Sequence, residues 1–152
     1  MIVEALRRFG APHVVYEEEV RPADLFPGRA FSTRSKKAAI DVVARVNGGV
    51  AALISARWRF RHDRVDVPDE ALSYVPAARH TSPAARFYAV LGEFSPPRLE
   101  KVLAHCAPAH PNPAIDGAVH FAPLLLHEGL GENGRTSELK DLAWLIGESA
   151  RW

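Results

Sequence analysis

Residues 47–49, Asn-Gly-Gly, separate two runs rich in Val, Ile and small residues, 38–46 and 50–56. An Asn-Gly turn between β-forming runs is a strong short-range hairpin signal, because its residues tolerate positive φ. A three-residue loop of Asn47, Gly48 and Gly49 pairs Val46 with Val50 and, counting outward, sets Asp41 opposite Ser55 and Ala39 opposite Arg57. Opposed residues share a face, so the Asp41 and Ser55 Cα atoms are expected about 4.5–5.5 Å apart, with Arg57 one pleat further on the same side. A two-residue Asn47-Gly48 turn sets Asp41 opposite Ile54 instead, burying an unpaired charge on the apolar face, and is disfavoured for that reason. On the second strand Ile54, Ala56, Trp58 and Phe60 form an apolar stripe, while Ser55, Arg57, Arg59 and Arg61 form the other face. One side of the hairpin is therefore expected to be core, and the other to meet water or a polyanion.

The remaining pattern points to helices around a sheet. Ile2, Leu6 and Phe9 have helical spacing over 2–9, and Gly10 with Pro12 stops that helix. Residues 14–20 read as a strand that the run Glu17-Glu18-Glu19 makes half-exposed or an edge, and 21–35 read as a loop. Asp66 and Pro68 open a helix with Asp69 and Glu70 in its first turn, expected to be short because Pro76 interrupts it. A strand over 86–94, a helix over 97–106, a Pro-rich loop over 107–113 and a strand over 118–126 follow. Thr136 is the expected N-cap of a closing helix that buries Leu139, Leu142, Leu145 and Ile146. The fold class implied is α/β, a mixed central β-sheet flanked by helices, in one domain over 1–152.

Composition bounds function loosely. With 152 residues and 47% hydrophobic content, the chain can build one real core. No apolar run has membrane-span length, and the opening residues lack a signal peptide's basic and apolar regions. The lone Cys106 excludes an internal disulfide and a cysteine-based zinc site, so a cytoplasmic location is expected. The net charge of +1 says nothing for nucleic acid, but its distribution is uneven. Residues 57–64 hold four arginines against Asp63, and Arg29, Arg34, Lys36 and Lys37 lie just upstream.

Hydrolysing a phosphodiester at neutral pH calls for a hard divalent cation on oxygen ligands, and Mg²⁺ needs one or two carboxylates beside the phosphate. Asp41 supplies the first. Ser55 occupies the strand position where a second would stand, so Glu70, thirteen residues after Arg57, is the nearest replacement. Arg57 places positive charge where a phosphorane develops its own. Arg61 and Arg64 around Asp63 suit adjacent G·C pairs, since arginine reads guanine bidentately and a carboxylate accepts from cytosine. Each residue also has an ordinary use: Asp41 paired with Lys37 or Arg57, Glu70 answering the helix dipole, Arg61 and Asp63 in a surface ion pair. The seven histidines, His120 among them, show no metal-ligand spacing, and Gly129 to Gly134 is a turn rather than a phosphate loop.

This set of residues resembles the PD-(D/E)xK nuclease superfamily, and within it the type II restriction endonucleases that cut sites centred on CCGG. In those enzymes a strand aspartate precedes Ser-x-Lys on the next strand, an Arg-Ser-Asp-Arg-like motif begins four residues after the lysine, and a relocated glutamate lies on the following helix. Asp41, Ser55-Ala56-Arg57, Arg61-His62-Asp63-Arg64 and Glu70 are similar in order and spacing, with arginine at the lysine position. Glu4, on a helix before the sheet, resembles an accessory acidic residue of some members. The resemblance spans about residues 1–75 by motif. It implies a restriction-endonuclease-like fold and Mg²⁺-dependent cleavage of double-stranded DNA by a homodimer. Asp41 and Glu70 would be metal ligands, Ser55 and Arg57 catalytic, Arg61, Asp63, Arg64, Lys36 and Lys37 on DNA, and Glu4 accessory. The other reading it allows is a DNA-binding or partner domain that kept the fold without the chemistry.

Overall fold

The computed structural model describes residues 2–31, 39–57, 66–92, 96–106, 110–120 and 138–152, of which 96–98 by their backbone alone. In chain order the elements are α1 (Ile2–Phe9), β1 (Val15–Val20), α2 (Pro22–Leu25), β2 (Ile40–Val46), β3 (Gly49–Arg57), α3 (Val67–Thr81), β4 (Arg86–Leu91), α4 (Pro96–Leu103), β5 (Gly117–His120) and α5 (Leu142–Glu148). A 3₁₀ turn, Ser149–Arg151, follows α5. Among the described residues the strands form one mixed sheet in the order β1-β2-β3-β4-β5. The first three run antiparallel, whereas β4 is parallel to β3 and β5 to β4.

Helices cover both faces, so the sheet has two cores. On one side α3 and α4 pack Tyr74, Val75, Leu99 and Leu103 against Val43, Leu53, Phe87 and Leu91. On the other, Val3 and Leu6 of α1 and Leu145 of α5 meet Val42, Ile54, Tyr88 and Val119. This corrects the expected solvent-facing side of the hairpin. β3 is central, and its polar face, Ser55 and Arg57, lies buried on the α3 side. Strands buried on both faces are the rule where parallel pairing brings crossover helices.

The hairpin reaches the expected register by an unexpected route. Its turn is the two-residue one: Val46 pairs with Gly49, and Asn47 (φ 50°) and Gly48 (φ 81°) both take positive φ. The pairing then shifts between Ala44 and Arg45, which face Ala52 and Val50, leaving Ala51 as a bulged residue. The bulge restores the lost residue, and Val42 pairs with Ile54. One step further along that register Asp41 lies across from Ser55, on the α3 side of the sheet.

Other boundaries moved for local reasons. Helix α3 runs through Pro76 because Pro76 and Leu72, whose carbonyl the ring leaves without an N–H, are both on the solvent side. The N-cap of α5 is Asp141, whose Oδ1 accepts from Trp144 N at 2.7 Å; Thr136 lies outside the described residues. Segment 21–35 contains the short α2, and 121–126 of the expected last strand lie outside the described residues. No helix among the described residues is long and apolar enough to cross a membrane.

Candidate functional site

Two strands and a helix bring Asp41, Ser55, Arg57 and Glu70 together. Asp41 and the Ser55/Arg57 pair share one face of β2 and β3 through the bulge-corrected register. Glu70 comes from above, on α3. The start of that helix is set by Asp66: its Oδ1 accepts from Val67 N at 3.0 Å and its Oδ2 from Lys101 Nζ of α4 at 2.5 Å. Glu70 N donates to Asp66 O at 3.0 Å, so the glutamate stands one turn in, over the sheet.

Arg57 is the centre of the cluster. One guanidinium nitrogen, Nη1, donates to Asp41 Oδ2 at 2.9 Å, and the other, Nη2, to Glu70 Oε1. Ser55 Oγ donates to Glu70 Oε2 at 2.6 Å, and Ala56 N to Asp41 Oδ2 at 2.8 Å. Side-chain exposure separates the two carboxylates: 34% for Asp41 and 4% for Glu70, with 8% for Arg57. Burial pushes the Glu70 carboxyl above its ordinary range and the Asp41 charge adds to that, while the Arg57 charge and the hydrogen bonds from Ser55 and Arg57 oppose it. Arg57 Nε is buried without a hydrogen-bond partner.

Glu4 is not at this cluster. It is exposed on α1, which packs on the opposite face of the sheet through Val3 and Leu6, so its accessory role is set aside. Glu19 is nearer. Glu18 pairs with Val42 and Val20 with Ile40, which leaves Glu19 across from Asp41. Two like charges directly opposite are unfavourable, and Glu19 has a left-handed backbone, at φ 52°, and an exposed side chain. Among the described residues no group of three or more His, Cys, Asp or Glu side chains is arranged to hold a metal. The base-reading set Arg61, Asp63 and Arg64 and the phosphate-contacting Lys36 and Lys37 lie outside the described residues.

His120 belongs to no motif in the sequence. Arg57 pairs with Leu91, and Leu91 with His120, across β3, β4 and β5. Partners in parallel strands share a face, so His120 ends β5 on the Arg57 side, two strands or about 9.5 Å away. Its Nδ1 is buried without a partner, and burial lowers its pKa despite the Asp141 charge. Only the parallel register reveals this, since two successive parallel pairings are needed to bring Arg57 and His120 to one face.

Comparison with known families, curated proteins and solved structures found no match.

Proposed function

We propose that this chain is a Mg²⁺-dependent endodeoxyribonuclease core of the type II restriction kind, acting on duplex DNA. The observation that carries the reading is the convergence of Asp41, Ser55, Arg57 and Glu70 from two strands and the next helix. Those are the elements on which the resembling family carries its aspartate, Ser-x-Lys and glutamate. The mixed sheet flanked by helices supports a restriction-endonuclease-like fold in the same way.

The donor chemistry fits the cation. Asp41 and Glu70 offer hard carboxylate oxygens, two suffice for Mg²⁺ beside phosphate and water, and the Asp41 carboxylate is a third exposed. When bound, the cation neutralises the scissile phosphate and lowers the pKa of a water. The chain's own residues do the rest. Ser55 orients Glu70 through its Oε2, and Ala56 N fixes the Asp41 rotamer. Arg57 is a permanent cation that stabilises negative charge growing on a phosphate oxygen, but it does not give up a proton to activate water. Arg61, Asp63 and Arg64 would read G·C pairs, Lys36 and Lys37 would hold the backbone, and a palindromic site would call for a homodimer. A cytoplasmic location accords with that work.

One observation favours the second reading, a domain that binds DNA or a partner without cutting. Arg57 already engages both carboxylates, which in the family answer to a compact lysine. A supercoiled-plasmid assay separates the two. The nuclease reading expects nicking that requires Mg²⁺ and disappears in Asp41→Ala; DNA retention in a gel shift with no cleavage at any Mg²⁺ concentration selects the second reading.

A further inference from the structure

We propose that Arg57 sets the divalent-cation affinity of the Asp41–Glu70 pair, by holding the carboxylate oxygens that a cation would need. The inference rests on the reading of that pair as the cation-binding group, and it concerns a step before any chemistry. Two carboxylates have four oxygens, and three are engaged. Asp41 Oδ2 accepts from Arg57 Nη1 at 2.9 Å and from Ala56 N at 2.8 Å. Glu70 Oε1 accepts from Arg57 Nη2, and Glu70 Oε2 accepts from Ser55 Oγ at 2.6 Å. No described residue donates to Asp41 Oδ1. Among the described residues Asp41 Oδ1 is thus the one oxygen left to an arriving cation, which reaches Glu70 only by taking an oxygen from the guanidinium or the serine.

The charge balance points the same way. Arg57 neutralises one of the two carboxylate charges from inside the protein, so Asp41, Glu70 and Arg57 together present a single net negative charge to a divalent ion. Its planar fork spans both carboxylates, where a lysine ammonium would sit on one point. The fork is buried at 8% side-chain exposure, so water does little to loosen it. Arg57 is thus an internal counter-ion standing where a bridging cation would bind, and removing its charge uncovers the site.

The test uses the full chain without DNA and Mn²⁺ as the probe, an ion suited to oxygen ligands and readable by calorimetry or by its paramagnetism. The R57M variant removes the charge and keeps much of the bulk. It is expected to bind Mn²⁺ about ten- to hundredfold more tightly than the unsubstituted chain, the range spanned by a charge-assisted hydrogen bond. R57K, with one ammonium in place of the fork, is expected between the two, and adding Asp41→Asn to R57M abolishes the gain. A folded R57M that binds Mn²⁺ no better than the unsubstituted chain overturns the proposal. Should R57M fail to fold in metal-free buffer, recovery of native circular dichroism on adding Mn²⁺ supports it, and failure with and without the ion overturns it. Cleavage is not part of the readout. An unsubstituted chain that never cuts DNA leaves the cation result standing, and a chain that cuts with no gain in R57M removes this inference alone.

Discussion

At the scale of single residues, the cluster is a buried charge network in which the members differ sharply in what their loss costs. Arg57 answers both carboxylates, and Glu70 is nearly sealed from solvent at 4% side-chain exposure. Arg57→Ala leaves that buried carboxylate without its cation, and breaking such a pair by deleting one partner costs about 3–5 kcal/mol. Asp41→Asn is expected to cost distinctly less, because Asp41 is a third exposed and water takes over part of its role. Urea unfolding of the two variants checks the order; equal losses would mean that Glu70 is relieved by some other group. These four residues were legible in the sequence because strand alternation and a helix start place side chains at short range. Glu4 and His120 were not, since a motif carries no statement of which sheet face a distant helix covers or which strands pair in parallel.

At the scale of elements, the β2–β3 hairpin has the register that the sequence predicts and a different turn. A three-residue loop sets Asp41 opposite Ser55; the chain reaches the same pairing with a two-residue turn and a bulge at Ala51. Deleting Ala51 removes the correction, and a one-residue slip moves a strand's side chains to the other face. Asp41 then falls opposite Ile54, and the deletion variant is expected to lose cooperative unfolding. A variant that melts as a single sharp transition near the parent would show that the bulge is dispensable. Helix α3 likewise runs on through Pro76, and the carbonyl that the proline frees belongs to Leu72 on the solvent side, where water can bond it.

At the scale of the whole molecule, the aromatic layer under α5 ties the far end of the chain to the sheet. Trp152 Nε1 donates to Tyr88 Oη at 3.1 Å, and the Tyr88 ring meets Trp144 and Trp152 at centroid distances of 5.9 and 5.6 Å. Burial pushes the Tyr88 phenol from 10.0 up to about 12. The fold thus holds that proton more tightly than the unfolded chain, so the stability it contributes is intact below pH 10.0 and lost as the pH rises toward about 12. Tyr88→Phe is expected to flatten this alkaline loss without removing it, because burial also raises Tyr16, and to cost about 1 kcal/mol at neutral pH through the Trp152 bond. Urea midpoints across the alkaline range check both halves. An unchanged alkaline slope in the variant would mean that other groups carry it. The layered architecture was readable in outline from alternating helical and strand periods, whereas the two-sided burial of β3 was not, because nothing near β3 in sequence announces its parallel neighbour.

β3 is the strand where the locally connected antiparallel ribbon meets the parallel half built from distant segments. Successive β3 amides point alternately to β2 and to β4, so exposing all of them requires opening both halves, and the strand is covered by a core on each face. Hydrogen exchange should find the amides of Leu53 and Ile54 among the slowest in the chain, and those of edge strand β1 among the faster. Ser55 and Arg57 are therefore mounted on the most slowly opening piece of backbone, while Asp41, one strand nearer the edge, rides on a piece that opens more often. Any motion that rearranges the cluster would begin from the Asp41 side.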